Sequence, residues 1–389
     1  MGDPRICSEE ITGRQEIKAN ERRIAPTGTK RMTARETMIS DKSKKINVAI
    51  AGLGNCASSL IEGICYYRQH PGTDEGVLFP TLCGYSVRDI EIVAVFDISI
   101  SKVGHPLNEA IYQSPNNFVR IEDVHVDFNA SVFRAPTLDG NPEHLAKFVT
   151  ESPLQPVDVS SVLKEHKTHI LVNLLPTGSI QATEFYAEAA LKAECAFVNC
   201  IPTLLAQRTH FQEIYAKHGI PLFGDDIKSQ MGTTILHRAL LSLLELRGAT
   251  LRKTSQINIG GNTDFANFVH RAETKLVSKR KSLQRYLNHG EFHVGHHYDH
   301  TKGPLKHAII EIETAVFGGS AVRIEVKLES DDKPNCAGSV VDLIRLAKGS
   351  LDLGVGGYLP EVCAFYMKSP PTEMDDFQAF ERIRQKWAR

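Results

Sequence analysis

Apolar runs of strand length alternate with helical patterns through the first half of this chain. The run Ile46–Ala51 carries β-branched residues at alternate positions and is typical of a buried strand. It ends at Gly52-Leu53-Gly54, and residues 55–67 then repeat apolar positions at helical spacing. This opening predicts a strand, a glycine turn and a helix.

The same alternation continues to about residue 230. It predicts strands at 90–96, 170–175, 196–200 and 221–224, and helices at 157–166, 180–193 and 211–218. Strands that alternate with helices form a parallel, doubly wound sheet, which binds its ligands at the carboxyl ends of the strands. We therefore expect an α/β fold with a Rossmann-type dinucleotide-binding domain.

The pattern changes after a predicted helix at 233–246. Residues 255–260, 308–317 and 322–328 alternate with period two, which predicts a mainly antiparallel sheet with one covered face. A lysine-rich helix is expected at 272–287, and residues 339–348 and 362–367 return to the style of the first half. The predicted organisation is a disordered extension at 1–45, the Rossmann domain at 46–232, an inserted α+β catalytic and oligomerisation domain at 233–331, and a C-terminal return at 332–389.

The glycine turn has the spacing of a dinucleotide site. Gly52, Gly54 and Ala57 form G-x-G-x-x-A, which leaves bare N–H groups at a helix start where a pyrophosphate can bind. Asp97 ends the next strand, where an acid accepts hydrogen bonds from ribose hydroxyls and repels a 2′-phosphate, so NAD is favoured over NADP. The gap between them is long and predicts an inserted loop at about 69–89. The alternative interpretation of the glycine motif is an ordinary turn, and the alternative for Asp97 is a cap at the end of the strand.

Three further strand-end loops face the same crevice in the predicted sheet. They are Pro176-Thr177-Gly178, residues 199–202, and the polar stretch 224–230, GDDIKSQ. The first two could be simple turns. A capped helix start would account for Asp226 and Ser229 in the third, but it would leave Lys228 unexplained.

Composition narrows the class of protein. The 389 residues are 42% apolar with a formal net charge of −1, so the basic excess of a nucleic-acid-binding protein is missing. We expect no membrane span and no secretion signal, because no apolar run is long enough and the start has no apolar segment. Eight cysteines without a C-x-x-C, including Cys195, Cys200 and Cys363 in apolar runs interpreted as strands, indicate reduced thiols and a cytoplasmic protein.

Several lysines stand in short polar motifs. They are Lys228, Lys275, Lys279, Lys306 and Lys368. A single helical lysine is usually solvated. Lys275 and Lys279, however, are four residues apart on one helix face, where like charges destabilise the helix unless an anionic ligand binds there.

Together these motifs resemble one family, myo-inositol-1-phosphate synthase in its shorter bacterial form. The resemblance runs from about residue 46 to 371 through VAIAGLGNCASSL, FDIS, APTLDG, PVDVSSVLKE, GDDIKSQMG, NIGGNTDF, TKLVSK, PNCAG and YMKSPP. It implies an isomerase that cyclises D-glucose 6-phosphate to 1L-myo-inositol 1-phosphate with NAD and no net redox. It also implies a homotetramer assembled through the inserted domain.

The resemblance assigns roles residue by residue. Lys275 would shuttle the C5 hydroxyl proton, Lys306 and Lys368 would polarise the C5 and C1 oxygens, and Lys279 would hold the phosphate, while the substrate phosphate helps to take the C6 proton. The remaining catalytic positions are Asn262, Asp264, Asp332 and Lys228. The cofactor positions are Gly52, Gly54, Asn55, Cys56, Asp97, Pro176, Thr177, Gly178, Asp226 and Ser229.

The chain departs from the family pattern in three places, one of which is the absence of two residues between Asp264 and Lys275. The family's D-x-K motif is replaced by Pro304-Leu305-Lys306, for which Asp299 or Asp332 could compensate. The stretch 293–300 holds His293, His296, His297 and His300, which are plausible ligand types for a divalent cation, although a polar loop is the favoured interpretation. A requirement for a divalent or monovalent cation stays open. A sugar-phosphate dehydrogenase with net redox and a catalytically impaired NAD-binding homologue are the alternative functions.

Overall fold

The computed structural model describes residues 45–139, 141–270 and 291–388. The predicted N-terminal extension, apart from Lys45, and the predicted helix at 272–287 lie outside these ranges. Within them the opening forms as expected: strand β1 (Ile46–Ala51) is followed by the glycine turn and by helix α1 (Asn55–Gln69). The segment after α1 is a loop that ends in a short 3₁₀ helix, Val87–Asp89, so the expected insertion is confirmed.

Six parallel strands form the first sheet, in the order β3-β2-β1-β4-β5-β6. Beyond β1 they are β2 (Ile90–Asp97), β3 (Ser131–Arg134), β4 (Ile170–Asn173), β5 (Ala196–Asn199) and β6 (Leu222–Phe223). This order reverses direction at β1 and β4, which opens a crevice at their carboxyl ends. The doubly wound α/β prediction is confirmed, while the short edge strand β3 was not predicted because its four residues SVFR show little apolar alternation.

Helices cover both faces of this sheet. Along the chain, the helices between its strands after α1 are α2 (Leu107–Ala110), α3 (Glu143–Ala146), α4 (Val159–Glu165), α5 (Ile180–Lys192) and α6 (Thr209–Lys217). The alternation of β1 explains the two layers, because Val48 and Ile50 pack with α1 whereas Ala49 and Ala51 face the side of α4 to α6. The small alanines leave room for the rings of Phe96 and Tyr186 on that second side.

The second sheet has four strands in the order β10-β9-β7-β8. They are β7 (Thr250–Gly260), β8 (Glu291–Tyr298), β9 (Lys306–Ala315) and β10 (Ala321–Ser330). Its pairs are antiparallel except β7–β8, which is parallel. Helix α7 (Thr233–Leu246) covers one face, where Leu241 packs on Ile310 and Ile312. A mainly antiparallel sheet with one covered face is therefore confirmed, but the favoured polar loop at 293–300 was wrong for most of its length, since β8 reaches Tyr298.

The C-terminal segment packs back on the first sheet. After α8 (Thr263–His270) and β10, helix α9 (Asp332–Asp352) contacts α1 and strands β1, β4 and β5. The chain ends in α10 (Pro360–Tyr366) and α11 (Asp376–Lys386). Cys363 thus lies in a helix and not in a strand, and the seven cysteines of the described ranges are all free thiols. We keep the four domain boundaries given above as a proposal.

Candidate functional site

The glycine turn closes tightly against the neighbouring strand. Gly52 has φ +91°, and a Cβ there would lie 2.9 Å from the carbonyl oxygen of Leu174. Only glycine suits that conformation and that approach. Gly54 is the N-cap of α1 and provides no side-chain cap, so the first N–H groups of the helix are open to an anion.

Asp97 ties this turn to the end of β2. Its carboxylate accepts hydrogen bonds from the backbone N–H groups of Leu53 at 2.8 Å, Ile98 at 2.7 Å and Ser99 at 2.8 Å. The side chain also lines the cleft above the turn. Because a carboxylate has about four acceptor positions, it can still accept hydrogen bonds from ribose hydroxyls.

A buried lysine that the sequence did not single out supports the same turn. The Lys102 amine donates to the carbonyl oxygen of Leu53 at 2.6 Å and to Oδ1 of Asn116 at 2.9 Å. Burial lowers the pKa of Lys102, and the nearby Asp97 charge opposes that shift. Lys102 was missed because a single lysine after a strand cannot be told in the sequence from one that is exposed to solvent.

An open cleft of about 1270 Å³ lies over the turn. Asn55, Cys56 and Pro176 line it, whereas Thr177 contributes a backbone carbonyl that accepts from Nδ2 of Asn267 at 2.9 Å. Gly178 stands at φ +93° in the same loop. On the opposite wall Asp139 accepts from the N–H groups of Gln181 and Ala182, both at 2.8 Å. The start of α5 is therefore capped by the protein itself, while the start of α1 is open.

A second pocket of about 510 Å³ adjoins this cleft across α8. Thr263 and Asn267 of α8 line the cleft, while Phe265, from the same helix, lines the pocket. The structure brings Lys306 and Lys368 together in this pocket. Its other polar lining includes Ser229, Thr233, Thr234, His296 and Asp332.

Each of these two lysines is held by a carboxylate. Lys306 begins β9, and its amine lies 2.7 Å from Oδ2 of Asp332, at the start of α9. Lys368 follows α10, and its amine lies 3.0 Å from Oδ1 of Asp226 and 2.6 Å from the carbonyl oxygen of Ile227. These contacts direct both amines along fixed lines.

Backbone pairing places the second of these ion pairs. Residues Ile227 and Met367 form an antiparallel bridge, and the N–H of Lys368 donates to the carbonyl oxygen of Asp226 at 2.6 Å. Asp226 has φ +60°, a left-handed conformation that is uncommon for an aspartate and is typical of functional sites.

The other predicted catalytic residues differ in position. Asn262 accepts from the N–H of Phe265 at 3.0 Å and so caps α8. Asp264 lies in α8, with its side chain outside the described part. Lys275 and Lys279 lie outside the described residues altogether.

Lys228 is buried in the protein interior and lines neither the cleft nor the pocket. Its amine lies 2.6 Å from the carbonyl oxygen of Ala364 and 2.7 Å from Oδ1 of Asp376, whose Oδ2 accepts from Arg238. Burial lowers the pKa of Lys228 to about 8, against the opposing pull of the Asp376 charge. No local pattern could indicate this pair, because Asp376 is 148 residues away along the chain.

A buried acid beside this loop was also missed. Asp225 accepts from Nδ2 of Asn199 at 2.7 Å and from the N–H of Ala206 at 3.1 Å. Asn173 in turn donates to Oδ1 of Asn199 at 2.9 Å, so polar side chains connect the ends of β4, β5 and β6. Burial raises the pKa of Asp225 to about 7.

Strand alternation separates the four histidines. His293 and His297 flank Gly295 on one face of β8, whereas His296 is on the other face and lines the pocket. His300 belongs to a 3₁₀ turn, His300–Lys302. Among the described side chains no group of three potential ligands is placed to hold a metal ion, so this metal prediction gains no support.

Comparison with known proteins identifies the family. The family model for myo-inositol-1-phosphate synthase matches residues 232–333. An inositol-3-phosphate synthase from Corynebacterium glutamicum is 41% identical over 353 residues, which cover 87% of this chain and 97% of that protein. The chain belongs to the inositol-3-phosphate synthase family. The enzyme of that name from Mycolicibacterium smegmatis is also 41% identical, over 87% of this chain and 96% of its own.

Solved structures agree with this family fold. The crystal structure of Ari2 has a TM-score of 0.72 and 34% identity, and the match covers 88% of this chain and 98% of that one. Inositol-3-phosphate synthase from Caenorhabditis elegans has a TM-score of 0.70 at 16% identity, covering 88% and 85%, which supports the fold alone. In this member of the inositol-3-phosphate synthase family, Asp332 pairs with the Lys306 amine, and Pro304 stands where the family resemblance leads one to expect an acid. Asp299 instead accepts from Thr301 within its own turn.

Proposed function

We propose that this protein is an NAD-dependent inositol-3-phosphate synthase, an isomerase that converts D-glucose 6-phosphate to 1L-myo-inositol 1-phosphate. The observation that carries the proposal is the pocket in which Lys306 and Lys368 meet, next to a cleft with an open helix N-terminus. The 41% identity to enzymes of that name supports the choice of reaction.

The residues of the cleft fit a dinucleotide. Gly52 and Gly54 leave the helix start open to a pyrophosphate, and Asp97 is placed to accept from ribose hydroxyls. The Lys102 amine uses two of its three N–H groups on Leu53 and Asn116. NAD bound there would supply the hydride acceptor for C5 of the sugar and the hydride donor for the final reduction.

The two lysines of the pocket stabilise negative charge on oxygen. Oxidation at C5 is followed by loss of a C6 proton, and the resulting enolate attacks C1. We assign Lys306 to the C5 oxygen and Lys368 to the C1 oxygen. Fixed ammonium groups in a half-closed site stabilise such charge without reorganising, which commonly contributes about 10²–10³ to the rate per donor.

Other residues enter through the family resemblance. Lys275 as the shuttle for the C5 hydroxyl proton, Lys279 at the phosphate, and Asn262 and Asp264 near the substrate remain proposals. So do the homotetramer, the cytoplasmic location and any divalent or monovalent cation, which metal analysis of protein prepared without a metal-affinity column would test. In the described ranges no helix is long and apolar enough to span a membrane.

The two alternative functions are less well supported. A sugar-phosphate dehydrogenase would release an oxidised product and accumulate NADH. A catalytically impaired homologue would be favoured by the missing acid before Lys306, but Asp332 already provides a carboxylate 2.7 Å from that amine.

The test is turnover of purified protein with D-glucose 6-phosphate and NAD, measured as phosphate released by periodate. We expect product without net NADH, and a loss of about 10²–10³ in kcat for K306M and for K368M. K327M is the matched control, because Lys327 is a strand lysine with a side chain that is 76% exposed. Binding of NAD without product in the unaltered protein would eliminate the proposed reaction.

A further inference from the structure

One histidine of the 293–300 stretch is turned toward the pocket by strand pairing. His296 lies opposite Asn258 of β7, and Phe292 of the same strand has its ring centre 6.3 Å from that of His237 in α7. Residues two apart share a face, so His296 and Phe292 both face α7. His293 and His297 face the other way.

Lys306 reaches the same face from the other side of β7. It lies opposite Gly260, which in turn is paired with Tyr298 of β8, two residues beyond His296. Gly260 has no side chain, and the Phe265 ring packs against it, since a Cβ there would lie 2.4 Å from Cδ2 of that ring. His296 and Lys306 therefore enter one pocket from two strands that flank β7.

The C6 proton needs an acceptor, and apart from the substrate phosphate the described side chains of this pocket offer few. The ammonium groups of Lys306 and Lys368 are paired with Asp332 and Asp226, so those lysines donate protons and those acids are already engaged. The remaining hydroxyl groups are poor bases near neutral pH. An imidazole has an ordinary pKa of about 6.5, which suits a general base at neutral pH.

We propose that His296 is a catalytic residue, the general base that removes the C6 proton of the 5-keto sugar. The C6–H bond breaks, the proton passes to the imidazole, and the electron pair forms the C5–C6 double bond while charge moves to the C5 oxygen, next to the Lys306 ammonium. When C6 then bonds to C1, the imidazolium returns the proton to the C1 oxygen. This assignment depends on the proposed function.

The decisive variant is H296Q, with H297Q as the matched control on the opposite face of the same strand. We expect kcat for inositol phosphate to fall about 100-fold or more in H296Q and less than twofold in H297Q. H296Q should still form NADH in a single-turnover transient, because C5 oxidation precedes the lost step. Substrate deuterated at C6 should show a larger isotope effect in H296Q than in the unaltered enzyme.

The pH profile gives an independent readout. The acidic limb of kcat/KM should be lost in H296Q. Among the described side chains, the titratable groups around His296 are Lys306 from β9, Asp332 from α9, Lys368 after α10 and His237 from α7, whereas Thr233, Thr234 and Asn258 are uncharged. Added imidazole should restore part of the rate in H296G.

The outcomes separate this inference from the function it rests on. Equal turnover and isotope effects in H296Q and H297Q would overturn the role of His296 and would leave the substrate phosphate as the C6 base. Loss of the NADH transient in H296Q would also overturn it, since His296 would then act in binding or in C5 oxidation. Absence of product from the unaltered enzyme would refute the proposed function itself. If H296Q does not fold, H296N with imidazole rescue decides between the same outcomes.

Discussion

Asp376 bridges two buried cations behind the pocket, and its removal should be costly. Its carboxylate accepts from the Lys228 amine and from Nε of Arg238, both at 2.7 Å. The side chains of Lys228 and Arg238 are only 3% and 5% exposed. Burial raises the pKa of Asp376, but the two positive charges more than offset this and hold it below its usual value.

The change D376A leaves two positive groups facing each other in the interior. Breaking a buried pair by removing one partner costs about 3–5 kcal/mol, because the remaining charge is uncompensated. In K228M, by contrast, Asp376 keeps Arg238, and the main loss is the partner of the Ala364 carbonyl, about 1–2 kcal/mol. We therefore expect D376A to be the more destabilised variant by about 1–4 kcal/mol.

The assay is urea unfolding followed by fluorescence. The sole tryptophan, Trp387, is 2% exposed and comes directly after α11, the helix that carries Asp376. A red shift of the Trp387 emission in D376A would show that α11 has separated from the core. D375N is the matched control, because asparagine still caps α11 while one acid of the same turn is lost.

The effect of pH on the contribution of Lys228 to stability has a defined sign. Lys228 has a folded pKa of about 8, below its ordinary 10.5, so between these values the unfolded chain binds the proton and stability rises with pH. Loss of the Asp376 charge lowers the folded pKa of Lys228 further, so the difference in stability between D376A and the unaltered protein should shrink as pH rises toward about 8 and change little above it. A larger loss in K228M than in D376A, or a difference that widens above pH 8, would refute the reasoning.

Three other predictions follow from the site. G52A should lose about 1–3 kcal/mol of stability, because the new Cβ would meet the Leu174 carbonyl. Its affinity for NAD, measured by calorimetry, should fall at least tenfold, and an unchanged affinity would argue against the cleft as the cofactor site. D332N should lower kcat about 10- to 100-fold with NAD affinity unchanged, since the Lys306 amine loses its anchor, whereas normal turnover would mean that this anchor is dispensable. Between pH 3.8 and about 7 the contribution of Asp225 to stability should fall as pH rises, because folded Asp225 holds its proton longer than the unfolded chain does. In urea titrations over this range D225N should therefore gain stability relative to the unaltered protein as pH rises, and equal slopes would contradict the raised pKa.

Local patterns in the sequence were sufficient for five of the six strands of the first sheet and for the crevice at their carboxyl ends. β1, the glycine turn and α1 follow from alternation, breakers and helical spacing, each read within about fifteen residues. The position of Asp97 after β2 follows in the same way. These features are local, so the sequence determines them without knowledge of the partner strands.

Elements with mixed polarity were harder to predict. β8 carries histidines and a glycine, and as an edge strand with mostly exposed or half-exposed residues it has no continuous apolar face. Within this stretch, Phe292 and Val294 were the apolar residues with the two-residue spacing of a strand. The parallel pairing of β8 with β7 makes it a strand, which its own residues did not indicate.

The sequence by itself determined the fold class, the family and which lysines to consider. Only the tertiary structure decided their partners: Asp332 for Lys306, Asp226 for Lys368, and Asp376 for Lys228, which it thereby directs away from both cavities. It also selected His296 from four histidines. The physical reason is that periodicity depends on neighbours along the chain, whereas an ion pair depends on the distance between side chains that packing brings together from remote elements.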